Sequence, residues 1–356
     1  MLDDRQVNAE VLSFDVSTVA LKGARNYQED SLISSFALGQ DTGFAVLADG
    51  MGGHTSGHVA STLVVAEMFA QLKMQDRMLD EGVLNIPTAL ETAAEAANKR
   101  VSEYAETHDE AYGMGSTLLS VVIRQERLFW ISVGDSPLLL FRDGELRQLN
   151  KDHSMAPEID MMVKAGAMTE EVGRNHPDRS TLTSAITGSR IQKIDCPEHP
   201  VTLQPDDILI VASDGLQYLS NAVIARTLKQ TQTGRGVDIA NALIEEIEEL
   251  NDPEQDNTAC MVVKVSVRLQ EQPIAIDIAD KPVLAKVPDE VEEHKPSSRI
   301  VRIVPKKPAP KEPEIERIYH EKEPSASANE DHLEDALAEG ERRKACWYRG
   351  QRFYKD

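Results

Sequence analysis

The chain is short of cysteine, of long apolar runs and of basic charge, and each shortage removes a class of function. Its three cysteines, Cys196, Cys260 and Cys346, are widely separated and form neither a CxxC pair nor a disulfide framework, which fits a reducing cytoplasm. No apolar stretch approaches the length needed to cross a bilayer, and the first residues, MLDDRQVNAEVL, lack a basic region followed by an apolar core. Neither a membrane span nor export by a signal peptide is expected. With 38 basic residues against 60 acidic ones the formal charge is -22, so no basic field gathers the phosphates of nucleic acid or of an anionic membrane. Glycine-rich turns are present, but no Gly-Lys-Ser/Thr ending and no Gly-x-Gly-x-x-Gly accompanies them, which argues against a nucleotide loop. No internal repeat marks a solenoid or propeller.

What the chain does have is organised around Phe44 to Ser61, FAVLADGMGGHTSGHVAS. Phe44-Ala45-Val46-Leu47-Ala48 reads as a strand buried on both faces. It delivers Asp49 to a strand end, where Gly50-Met51-Gly52-Gly53 lets the backbone turn sharply and a ligand approach. His54 follows, and a helical pattern of apolar residues runs over Val59 to Lys73 behind a possible Ser56 N-cap.

Three further aspartates share that setting. The hairpin formed by Ser116 to Arg124 and Arg127 to Val133 ends in Gly134-Asp135-Ser136, the buried strand Asp207 to Ser213 leads into Asp214-Gly215, and Asp256-Asn257 precedes a last strand, Thr258 to Val267. Each carboxylate has Gly or Asn beside it. Converging buried carboxylates repel and protonate unless a cation lies among them. Oxygen donors without cysteine or paired histidine select a hard ion such as Mg²⁺ or Mn²⁺. Two such ions suit in-line attack of an activated water on a phosphoryl group, with no serine or cysteine nucleophile. The bland alternative is that these acids cap turns and helices. Trp130 reads as core, and His153, alone in a polar loop, as a structural hydrogen-bonding group.

The segments GARNYQED, VLADGMGGHTSGHVAS, GMGSTLLSVVI, VGDSPLLLFRDGELRQLNKDHS, LIVASDGL and QDNTACMVV, in this order over residues 23 to 263, resemble the motif series of bacterial metal-dependent, type 2C serine/threonine protein phosphatases. The resemblance implies an α+β fold of two antiparallel sheets between helical layers, with a flap at about 155–187, in a domain spanning 1–268. It implies a hydrolase that removes phosphate from serine and threonine by direct attack of a metal-bridging water, without a phosphoenzyme. Asp49 would bridge two Mn²⁺ or Mg²⁺ ions, the Gly50 carbonyl would ligate the second, and Asp214 and Asp256 would complete the first. Glu29 and Asp30 would hold metal-bound waters, Arg25 would orient the substrate phosphate, and His54 would donate a proton to the leaving oxygen. Asp135, with Asp214, matches the place of a third, weaker ion. Pro137, His58, Ser180, Ser184 and Tyr218 depart from the usual pattern, and none of these is a metal-core position. The implied partners are phosphorylated serine/threonine proteins and a cognate kinase or its substrates. The competing reading is a catalytically inactive phosphatase-like module that binds a phosphoprotein.

After residue 268 the composition changes. This stretch holds nine of the seventeen prolines, with 16 basic and 19 acidic residues, so about -19 of the charge belongs to the first 268. Residues 269–356 are expected to be mostly disordered. Ile300 to Val304 alternates like a strand, Glu334 to Lys344 is helix-compatible, and aromatics interleaved with arginine over residues 346–354 mark a motif that docks a protein partner.

Overall fold

The fold was obtained as a computed structural model, which describes residues 10–37, 40–52, 55–269, 345–348 and 351–354. The chain divides into two units, Met1–Gln272 with Arg342–Asp356, and Pro273–Glu341. The second lies wholly outside the described residues, as do the strand-like and helix-compatible tail segments.

In the first unit one sheet contains β2 (Asp30–Phe36), β3 (Thr42–Met51), β5 (Leu118–Arg124), β6 (Arg127–Val133) and the short β9 (Val201–Thr202), in that order, with β4 (Gly115–Ser116) on the end of β3. The other runs β1 (Glu10–Leu21), β11 (Thr258–Leu269), β10 (Ile208–Ala212), β7 (Leu138–Arg142) and β8 (Glu145–Gln148). All pairings are antiparallel. Helices α1 (Thr55–Asp80) and α2 (Ile86–Thr107) cover the first sheet, and α5 (Asn221–Thr231) and α6 (Gly236–Glu249) cover the second.

Strand periodicity explains the layering, because successive side chains point to opposite faces. In β3, Phe44, Val46 and Ala48 pack on α1 and α2, while Ala45 and Leu47 enter the core between the sheets. In β10, Ile208, Ile210 and Ala212 face α5 and α6, while Leu209 and Val211 face the other sheet. Every central strand is thus buried on both sides, which is why the sequence shows continuous apolar runs.

Two helix boundaries differ from the sequence reading. Ser56 is not the N-cap of α1 but lies in its first turn, where its hydroxyl donates to the Glu110 carbonyl at 2.9 Å. The helix also runs past Lys73 to Asp80, because Arg124, only 3% exposed, pairs with Asp76 (2.5 Å) and Asp80 (2.7 Å) and ties the last turns to β5. The Asp143-Gly144 hairpin forms with φ of 53° and 84°, the left-handed pair that a two-residue hairpin turn requires.

Residues 155–187, the expected flap, carry two short helices. These helices, α3 (Ala156–Lys164) and α4 (Glu170–Arg174), pack on each other, with Gly173 tight against Val163 and Ile159. A cavity of about 410 Å³ separates α3 from Asp135 and Gln217. In the tail, β12 (Ala345–Tyr348) and β13 (Gln351–Tyr354) pair as an antiparallel hairpin.

Candidate metal centre

Antiparallel pairing brings the predicted carboxylates to one end of the sandwich. The start of β2 lies beside the end of β3, so Asp30 is directly opposite Asp49. The start of β11 lies beside the end of β10, which places Asp256 next to the Ser213-Asp214 turn; a Cβ on Gly215 would come within 2.0 Å of the Asn257 carbonyl. Asp135 sits where the chain crosses from β6 in one sheet to β7 in the other, and Pro137 completes the crossing by accepting the Ala212 N–H at 3.2 Å. Asp30, Asp49, Asp135, Asp214 and Asp256 are all buried, between 3% and 9% exposed.

The supporting contacts are dense. The Asp49 N–H donates to Thr117 Oγ1, and the Asp49 carbonyl accepts from the Thr117 N–H and from Ser116 Oγ, each at 2.9 Å. The Gly50 N–H donates to the Glu29 carbonyl at 3.1 Å. Ser213 Oγ donates to Asp30 Oδ2 at 2.7 Å and accepts from the Ala259 N–H at 2.9 Å. Asn257 holds the loop before β2, accepting the Glu29 N–H at 2.8 Å and donating to the Lys22 and Tyr27 carbonyls. Thr117, Ser213 and Asn257 lay inside the motifs read from the sequence, but a buried hydroxyl or amide carries no charge pattern to single it out.

Charge is concentrated accordingly. Burial pushes the Glu29 carboxyl up to about 7, with Asp49 and Asp256 adding to the rise and Arg25 opposing it. Burial, followed by the neighbouring Asp49, raises the Asp30 carboxyl well above the usual range. Arg25 Nη2 pairs with Asp256 Oδ2 at 2.7 Å. His54 and Gly53 lie outside the described residues. Tyr218, one of the departures from the family pattern, spends its hydroxyl on the Glu254 carbonyl at 2.8 Å.

These residues fit a hard divalent ion. Glu29 Oε1 is buried and accepts no hydrogen bond, an arrangement that costs free energy unless a cation takes up the oxygen. The backbone beside it leaves no room for larger residues: a Cβ on Gly57 would lie 2.6 Å from Glu29 Oε1, and one on Gly50 would lie 2.1 Å from the Gly57 carbonyl. Among the described residues no three acidic, histidine or cysteine side chains close into an ion cage by themselves. The donors are all oxygens, which suits Mg²⁺ or Mn²⁺.

His153 is a buried hydrogen-bonding group. Its Nδ1 accepts from the Gly134 N–H at 3.3 Å, and burial holds its pKa below the ordinary value. Trp130 is core, with Nε1 donating to Asp195 Oδ2 at 2.9 Å. Among the described residues no helix is long and apolar enough to cross a membrane.

Comparison with known proteins places this geometry. The family model described as protein phosphatase 2C matches residues 27–245. The serine/threonine protein phosphatase PstP of Mycobacterium tuberculosis is 34% identical over 195 residues, 54% of this chain, and the match spans only about a third (34%) of that relative's length. The serine/threonine phosphatase stp of Listeria innocua is 32% identical over 189 residues, covering 53% of this chain and 72% of its own. Among solved structures, the PstP catalytic domain in complex with two manganese ions superposes with a TM-score of 0.58 at 28% identity, over 72% of this chain and 99% of that one. The Streptococcus agalactiae serine/threonine phosphatase gives 0.57 at 29% identity, over 72% and 100%. With two antiparallel sheets between helical layers and a match over more than half its length, the chain belongs to the protein phosphatase 2C family.

Proposed function

We propose that this domain is a metal-dependent serine/threonine protein phosphatase acting on phosphorylated proteins in the cytoplasm. The single observation that carries the reading is the buried Glu29 oxygen with no hydrogen-bond partner beside the directly opposed Asp30 and Asp49. Bound cations there would relieve the repulsion that otherwise drives these carboxyls to protonate. The relative with two manganese ions supports a pair of ions. Asp49 and the Gly50 carbonyl would hold them with Asp214 and Asp256, Glu29 and Asp30 would bind their waters, and Asp135 with Asp214 would provide a third, weaker place.

Bound there, divalent ions would lower the pKa of a shared water and neutralise the phosphoryl oxygens, allowing direct hydrolysis without a phosphoenzyme. The chain's own groups do the rest. Arg25 spends Nη2 on Asp256, and its remaining N–H donors would grip and orient the phosphate. His54, by its position after the glycine turn, would protonate the departing serine or threonine oxygen. The glycines at 50 and 57 keep side chains from crowding the donors. A cognate kinase would supply the substrates, and the aromatic and arginine-rich hairpin over 345–354 would dock a protein partner. The inactive-module alternative gains nothing from a complete carboxylate set.

Hydrolysis of a phosphothreonine peptide by the purified chain, with chelator, with Mn²⁺ and with Mg²⁺, tests the reading. Turnover should require added ion and should disappear in Asp49→Asn and in Asp214→Asn. A wild type that binds Mn²⁺ yet hydrolyses no phosphopeptide would refute it.

A further inference from the structure

Four hydrogen bonds converge on His153, which is 4% exposed. Its N–H donates to the Gly134 carbonyl at 3.0 Å, and its Nδ1 accepts from the Gly134 N–H at 3.3 Å. Its carbonyl accepts both the N–H and the hydroxyl of Thr183, at 2.7 and 2.8 Å. His153 and Thr183 are the two feet of the flap, which are also joined by the Met155 N–H donating to the Thr181 carbonyl at 2.9 Å. One residue therefore fastens both feet to the turn that carries Asp135.

The contact path continues toward the candidate centre. Gly134 has a φ of 106° and lies against Thr117, so close that a Cβ on it would come within 2.6 Å of Thr117 Cγ2. Thr117 in turn holds the Asp49 backbone at both its N–H and its carbonyl. The imidazole cannot act as an acid or base on substrate from here. It is enclosed, and Nδ1 is committed to Gly134. For Nδ1 to accept, the ring must be neutral, a state that its burial favours.

The geometry points to His153 as a positioning residue that makes the placement of the flap and of the Gly134–Asp135 turn a single variable, so that a phosphoprotein lying against the flap meets the centre in one register. This inference rests on the phosphatase reading above for its substrate, but not for the coupling itself. A purely structural histidine would change stability and leave the kinetic constants of the folded enzyme alone.

The test uses the full chain with His153→Ala, His153→Asn, whose side-chain oxygen can take the place of Nδ1, and Thr183→Val, which removes one hydroxyl at a flap foot. Two substrates are compared: a phosphothreonine peptide, long enough to reach the flap, and a small aryl phosphate that is not. His153→Ala should raise the peptide KM about tenfold, the factor one lost hydrogen bond carries, with kcat for the peptide and kcat/KM for the aryl phosphate changed by less than about threefold. His153→Asn should recover most of the loss, and Thr183→Val should move the peptide KM in the same direction by less.

Equal losses on both substrates, kinetic constants unchanged behind a lower melting temperature, or no recovery with Asn would each overturn the proposal. Amide hydrogen exchange supplies a readout that needs no turnover. In His153→Ala, or in Thr183→Val should the alanine variant not fold, residues 134–136 and 154–184 should gain exchange together. Faster exchange in only one segment, or in neither, overturns the coupling. Should the wild type hydrolyse neither substrate, the phosphatase reading falls and the exchange result alone decides the role of His153.

Discussion

Thr117→Val replaces a fully buried side chain with one of nearly the same shape, so its effect isolates the hydroxyl. In the native chain Oγ1 accepts the Asp49 N–H at 2.9 Å and shares a hydrogen bond with Ser136 Oγ at 2.8 Å. Valine leaves the N–H of the 7% exposed Asp49 without its acceptor, a loss of about 1–3 kcal/mol, and removes a neutral side-chain hydrogen bond of about 1 kcal/mol. A total near 3 kcal/mol lowers the melting temperature of a domain this size by about 6–12 °C. Thr117→Ser is the control: it keeps the hydroxyl and removes one methyl, costing about 1 kcal/mol. Urea denaturation in the presence of a chelator, with the slope m compared across variants, should rank wild type above serine above valine. Because valine also frees the backbone that aims Asp49, it should raise the Mn²⁺ concentration for half-maximal turnover, whereas serine should not. If valine is as stable as serine, or more so, the hydroxyl is not what fixes Asp49, and the account of this corner of the site is wrong.

Gly57→Ala should gain about 1 kcal/mol in helix propensity, but its Cβ would lie 2.6 Å from Glu29 Oε1; no rise in melting temperature and a higher Mn²⁺ requirement are expected, and a stabilised variant with unchanged metal response would refute the tight approach. Arg124→Met leaves Asp76 and Asp80 without their buried partner; since both acids are partly exposed, the cost should be about 2 kcal/mol. Far-ultraviolet circular dichroism should show fraying of the last turns of α1, and full helicity would mean that the ion pairs do not hold them. Burial depresses the folded pKa of His153 below its ordinary 6.5, so between those two values the unfolded chain binds more protons and stability rises with pH. Its contribution is therefore complete above about 6.5 and is lost as the pH falls. Denaturation with a chelator between pH 5 and 7.5 should show this acid limb flattened in His153→Asn, and an identical limb would assign the proton to another group.

The sequence by itself marked the buried strands and the acidic turns at their ends. Strands buried on both faces leave continuous apolar runs, as in Phe44 to Ala48 and Ile208 to Ala212, and the glycine or asparagine beside an aspartate at each strand end is local information carried by neighbouring residues. Hence the buried strands and the acids at their ends were legible before any coordinates, while the two-sheet α+β fold was what the motif resemblance implied. Convergence was not legible, because it depends on antiparallel registers that pair residues far apart in the chain, such as Asp30 with Asp49 and the start of β11 with the end of β10. The same holds for α1, whose last turns are held by Arg124 from β5. Most of all it holds for Thr117, Ser213, Asn257 and His153. Neutral groups of this kind acquire a role only when burial deprives them of water and leaves one particular backbone group or carboxylate as partner, and that choice is made by tertiary structure alone.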